Sequence, residues 1–252
     1  MNISNYKNYF IYLSQEDKYM IQLLFTSLLA GISQGLTGFG AGIILMIYLP
    51  YLFNLPESAG IVGAISISVC ILMTYKYHTF LHLKKVILPY ALFMIVCSTS
   101  ILLSTLVNST LLKKCLGLFL IILSVYYLFF NKIQNSSKSF DIFCIIISAL
   151  CDGLFGIGGP LMVIYFKNRT NSIQEYLGNI HLFFLINCIY NTCLRAYKGI
   201  LLSKHIPYIL IGMLGIMVGS LIAKKLINCI DEKTVNRITY ILIGISGIID
   251  LL

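Results

Sequence analysis

Over 252 residues the chain is 58% hydrophobic and 11% charged, with a mean hydropathy of +0.89, where a soluble domain carries roughly 25% charged residues. That much apolar surface excludes a water-soluble fold of this length. The net charge of +9 points away from nucleic acid, because Lys and Arg are scattered singly and in pairs between apolar runs, as membrane-flank anchors are.

Lipid satisfies no backbone N–H or C=O group, and the apolar runs are far longer than barrel strands. The sequence is therefore read as an all-α polytopic membrane protein, multi-pass in the cell membrane. At about 20 residues per span, its runs predict about eight transmembrane helices in two repeats.

In chain order, residues 1–18 form a polar and aromatic segment, cytosolic or interfacial, and the apolar run behind it outlasts a signal-peptide core, so no cleavable signal is read there. A first repeat, 19–131, holds runs at 19–37 continuing through 40–55, then at 58–75, 86–107 and 112–131. Residues 132–139 are a polar linker. A second repeat, 140–252, holds runs at 140–166 with a break inside, 176–194, 205–227 and 234–252.

The duplication is visible residue by residue. An offset of 118 (153 − 35) lays Gly35-Leu-Thr-Gly-Phe-Gly40 on Gly153-Leu-Phe-Gly-Ile-Gly158, with four of six positions identical. The same offset, ungapped, pairs Glu57 with Glu175, Gly60 with Gly178, Thr74 with Thr192, Pro89 with Pro207 and Tyr90 with Tyr208. Lys and Arg counts of alternate loops are nearly equal if every run is a simple span, so the charge rule does not orient the chain. The stretch Tyr19–Leu55 is too long for one straight helix, which favours a break or re-entry and hence inverted repeats.

The glycine runs carry the functional signal. Gly35, Gly38, Gly40 and Gly42, and again Gly153, Gly156, Gly158 and Gly159 before Pro160, interrupt a helix. New half-helices are predicted from near Gly42 and near Pro160, Pro being favoured in a first turn. A helix N-terminus inside the membrane presents free N–H groups and a positive dipole end, which suits an anion. Gly38, Gly40, Gly42, Gly156, Gly158, Gly159 and Pro160 are therefore candidate substrate-binding positions, with Gln34 and Thr37 flanking the first break. The alternative is that glycines only permit close helix packing, as Gly31-x-x-x-Gly35 and Gly215-x-x-x-Gly219 suit. A nucleotide loop is excluded by the missing Lys-Ser/Thr.

Polar residues within spans face inward and mark pathways. Asn187, Asn191 and Arg195 recur at i, i+4, i+8 on one helix face. Arg195 is read either as a partner for an oxyanion or as a snorkelling flank charge beside Tyr197 and Lys198. Asp152 and His181 are coupling candidates, with a helix-capping role for Asp152 and simple interhelical packing for His181 as the alternatives. His78, His82 and His205 look interfacial, and Glu57 and Glu175 look like helix-start caps. The cysteines, Cys70, Cys97, Cys144, Cys188 and Cys193 among them, read as lipid-buried thiols without metal-ligand spacing. No residue pattern in the sequence points to a cofactor.

The paired motifs Gly35-Leu-Thr-Gly-Phe-Gly-Ala-Gly42 and Gly153-Leu-Phe-Gly-Ile-Gly-Gly-Pro160, the second extended through Leu161-Met-Val-Ile-Tyr165, resemble the TauE/SafE sulfite exporter family. The segment Asn191-Thr-Cys-Leu-Arg195-Ala-Tyr197-Lys-Gly199 is similar to the pattern that closes that family's sixth span. The chain departs from it in having Gly42 where a Pro is common, and Gly60-Ile61 and Gly178-Asn179 where a Thr-Ser pair is. The resemblance implies a secondary transporter or exporter of small inorganic or organic anions, sulfite and organosulfonates among them, working by alternating access around a midplane site. Other classes are a membrane-embedded enzyme, for which no nucleophile-and-base or metal motif appears, and a channel or assembly subunit. Homo-oligomerisation is left open.

Overall fold

A computed structural model describes residues 3–129 and 137–226, together with residues 241, 244, 245, 247, 248 and 251. Among them there are nine α-helices and no strand: α1 (Ile3–Thr37), α2 (Ala41–Tyr48), α3 (Leu55–Lys76), α4 (Leu83–Ser104), α5 (Ser109–Phe129), α6 (Lys138–Phe155), α7 (Gly159–Lys167), α8 (Ile173–Tyr197) and α9 (Ile206–Leu226). Six stretches are long and apolar enough to cross a membrane, within α1, α3, α4, α5, α8 and at Ser203–Ala223. Helix α6 carries three charged residues, Lys138, Asp141 and Asp152, and is not among the six. The expected run at 234–252 and most of the linker lie outside the described residues.

The molecule turns its apolar side outward. Leu88 and Leu106 are about four-fifths exposed, at 80% and 81%, whereas Arg195 is 1% and Asn187 2% exposed. Only a hydrocarbon solvent rewards that arrangement.

Local chemistry sets the helix starts. Asn54 Oδ1 accepts the Glu57 N–H at 3.0 Å, and Ser172 Oγ accepts that of Glu175 at 3.1 Å. These are N-caps, each followed three residues later by Glu. The caps are thus Asn54 and Ser172 rather than the two glutamates. Each glutamate instead reaches another helix, Glu57 to Lys204 at 3.2 Å and Glu175 to Lys85 at 2.6 Å.

Glycine governs the close crossings. A Cβ on Gly31 would fall on Ile216 O, one on Gly219 on Leu28 O, and one on Gly215 would lie 2.7 Å from Leu24 O. Helices α1 and α9 therefore meet backbone to backbone, as small residues allow in lipid. On the other side Gly153 brings α6 against Cys97 O and Ser100 of α4.

Contact order along these pairs gives their direction. Leu24 and Leu28 meet residues 215 and 219, so α1 and α9 run parallel. Gly60 meets Arg195 while Gly178 meets Tyr77, so α3 and α8 run antiparallel. Helix α4 runs parallel to α8, with Tyr90 stacked edge-on to Phe183 and Ser98 bonded to Tyr190 at 2.8 Å. Helix α2 doubles back, since Tyr48 OH lies 3.1 Å from Tyr19 O and 3.0 Å from Gln22 Oε1 near the start of the apolar part of α1.

Candidate functional site

Both glycine motifs break their helices. In the first, Gly38 and Gly40 adopt φ of +83° and +101°, and in the second Gly156 adopts +67°. A side chain is strained there, and the chain turns out of one helix and into the next within a few residues. The new helices begin at Ala41 and Gly159, beside the expected starts. Thr37 and Gly38 serve the turn itself. Thr37 Oγ1 lies 2.9 Å from Ser33 O and 2.8 Å from Phe39 O, and the Gly38 N–H donates to Gln34 O at 2.9 Å.

The two breaks meet. A Cβ on Gly42 would lie 2.9 Å from Gly156 O, and one on Gly159 would lie 3.6 Å from Phe39 Cβ. Between them is a cavity of about 70 Å³. At about 10–15 Å³ for each ordered water, that is room for a few waters or a single small anion. Gln34, Gly40 and Gly42 border it from the first break, and Gly156, Gly158, Gly159 and Pro160 from the second. Asp152 closes one wall with Asn187, Asn191 and Arg195 of α8.

Of the positions singled out in the sequence, Thr37, Gly38 and His181 do not border this cavity. His181 is fully buried elsewhere, its Nδ1 2.8 Å from Leu177 O. His205, expected at the interface, is likewise buried, its ring edge-on to Phe53 with centroids 5.1 Å apart. Its Nδ1 accepts the Leu202 N–H at 3.0 Å. Cys193, read as a lipid-buried thiol, is exposed on the outside of the protein, where a lipid-facing residue lies.

Asp152 organises the polar wall. Its Oδ2 accepts from Asn187 Nδ2 at 2.8 Å and Asn191 Nδ2 at 2.7 Å, and the Cys97 thiol lies 3.5 Å away. Its Oδ1 accepts the Gly158 N–H at 3.1 Å, so the carboxylate also shapes the second break. Ser148 Oγ donates to Gly158 O on the other side of that residue. Arg195 does not snorkel. Its Nη1 donates to Pro56 O at 3.1 Å and its Nη2 to Gly153 O at 2.7 Å, tying α8 to the start of α3 and the end of α6.

Contacts across the breaks recur with the halves exchanged. Gly38 touches Leu177, and Gly156 touches Ala59; the offset of 118 (156 − 38 and 177 − 59) converts one pair into the other. A family model, Sulfite exporter TauE/SafE, matches residues 23–249. The chain belongs to this family. No curated protein and no solved structure matches it. As a TauE/SafE protein it is a multi-pass membrane transporter of sulfite-type anions, not an enzyme.

Sequence reasoning missed Ser66, Cys70 and Cys188, which also border the cavity. The two cysteines carried a readable signal, since they are a duplicated pair at the same offset (188 − 70 = 118).

Proposed function

We propose that this TauE/SafE protein is a secondary exporter that carries one small anion, of the sulfite or organosulfonate type, by alternating access around the cavity between its two glycine breaks. The observation that carries the reading is the exchange of contacts there, Gly38 with Leu177 and Gly156 with Ala59, around a cavity bordered by first turns of two broken helices. Such helix starts favour anions through unpaired N–H groups and a positive dipole end.

The repeats are read as inverted. Helices α3 and α8 are counterparts under the offset and run antiparallel, and α2 returns beside the start of α1, so the first half makes an odd number of passes. Two structurally equivalent halves of opposite direction can exchange conformations, which opens one site alternately to either side.

The test is flux of radiolabelled sulfite, thiosulfate and a small sulfonate into proteoliposomes, with Gly40→Leu and Gly158→Leu alongside. Saturable flux, lost in variants that still elute as folded protein, is the expected result. Absence of saturable flux for every anion, from correctly inserted protein, would sink the reading in favour of a channel or assembly role.

A further inference from the structure

The two breaks align in sequence and differ in charge. Asp152 stands where the first half has Gln34 (152 − 34 = 118). In the second half a carboxylate of the protein's own already accepts an N–H at the start of α7, that of Gly158, at 3.1 Å. In the first half the neutral Gln34 directs its Nε2 to Cys70 Sγ at 3.9 Å, and Gly40, the N-cap residue of α2, has no side chain of its own to cap the helix. Gly40, Gly42 and Ile43 nevertheless border the cavity, and the first N–H groups of a helix have no acceptor within it. One N–H at the second break is thus met by the protein's own carboxylate, and the start of α2 has no such partner.

Charge limits what can fill it. Among the described residues the charged side chains bordering the cavity are Asp152 and Arg195, and they cancel. What is left for a ligand is the positive ends of α2 and α7, each worth about half an elementary charge. That suits one negative charge and leaves a second uncompensated in a low-dielectric setting.

A second observation concerns the ligand's other end. Asn187 is 2% exposed, and its Nδ2 is held by the Asp152 carboxylate at 2.8 Å. A carboxylate only accepts, so this contact fixes which amide atom is nitrogen and turns the oxygen away. Asn187 Oδ1 has no donor in the chain although the residue borders the cavity. An unmet buried acceptor is costly, and a ligand carrying an O–H or N–H relieves it.

We propose that the cavity takes a singly charged oxyanion that still bears a proton donor, its oxygens on the first turn of α2 and its donor on Asn187 Oδ1. Protonated sulfite fits this class, and fully ionised sulfite and sulfate do not. The assignment rests on the transport reading above and names the substrate class of the same site.

The experiment is competition against radiolabelled sulfite uptake in proteoliposomes at fixed neutral pH. The competitors are sulfamate, methanesulfonate and sulfate. Sulfamate and methanesulfonate are monoanions of the same shape, and only sulfamate has donors. Sulfamate is expected to compete at least about tenfold better than methanesulfonate or sulfate, as a site built around a hydrogen bond discriminates. Gln34→Glu, which gives the start of α2 a carboxylate, is expected to cut sulfite uptake by more than about tenfold while the protein elutes as folded. Saturable uptake in which sulfate or methanesulfonate matches sulfamate, or undiminished uptake by Gln34→Glu, overturns this assignment and leaves the transport reading standing. No saturable uptake at all overturns both.

Discussion

Replacing Arg195 with Met isolates a group that holds three helices with one side chain. The guanidinium is 1% exposed and donates to Pro56 O and Gly153 O at 3.1 and 2.7 Å. Met fills much of the volume and removes both bonds. A hydrogen bond to a charged group contributes about 1.5–3 kcal/mol, so two give roughly 3–6 kcal/mol. The substitution also strips Asp152 of the positive charge on the same wall, and breaking a buried charge pair costs about 3–5 kcal/mol on its own account. The two estimates overlap because they count the same charge, so the expected loss is about 4 kcal/mol. Arg195→Lys should fall between, since an ammonium is a point charge that does not reproduce the planar fork serving two carbonyls. Purified protein heated in detergent and assayed by size exclusion for the folded fraction reads the effect as a lowered midpoint. A midpoint for Arg195→Met equal to the parent's would refute the reasoning, and would return Arg195 to a flank charge.

Gly219→Ala sets a methyl on Leu28 O at the backbone contact of α1 with α9, and thermal unfolding should show a loss of about 1–3 kcal/mol from overpacking. Gly199 has φ of +70° with nothing within 4 Å of an added Cβ, so Gly199→Ala should cost only the left-handed backbone penalty of about 1–2 kcal/mol. Ser172→Ala removes the N-cap of α8 and should cost about 1 kcal/mol in the same assay.

Much of this architecture was legible because it is local or duplicated. A clustered glycine run cannot continue a helix, and the break at Gly38–Gly40 follows from backbone chemistry alone. The offset of 118 identified equivalent residues before any contact was known. Partner choice was not legible: Gly31-x-x-x-Gly35 marks a face that approaches another helix, and nothing in it says that the other helix is α9. Arg195 was ambiguous for the same reason. Its neighbours in sequence, Tyr197 and Lys198, suit a membrane flank, while the carbonyls that hold it come from Pro56 and Gly153, 139 and 42 residues away. Asn54 and Ser172 were readable as caps, since each precedes a Glu by three residues, but attention to charge placed that role on the glutamates.

The cysteine pair tests the relation between the halves. Cys70 and Cys188 are equivalent under the offset, both border the cavity, and their side chains are neighbours. Equivalent residues of two halves related by a twofold axis can touch only where the axis passes between them. On the inverted-repeat reading proposed above, that axis would pass between antiparallel α3 and α8, at the two thiols. Diamide, a diazene that takes two electrons and two protons from a thiol pair and leaves as the hydrazine, is therefore expected to join Cys70 to Cys188. Peptide mass spectrometry would show the linked pair, and dithiothreitol would reverse it. If transport requires α3 and α8 to shift against each other, the linked protein should lose uptake and regain it on reduction, while Cys70→Ser stays insensitive to the oxidant. A linked protein that carries sulfite at the parent's rate would show that the axis itself does not move, and the halves would then have to work around a fixed α3–α8 pair.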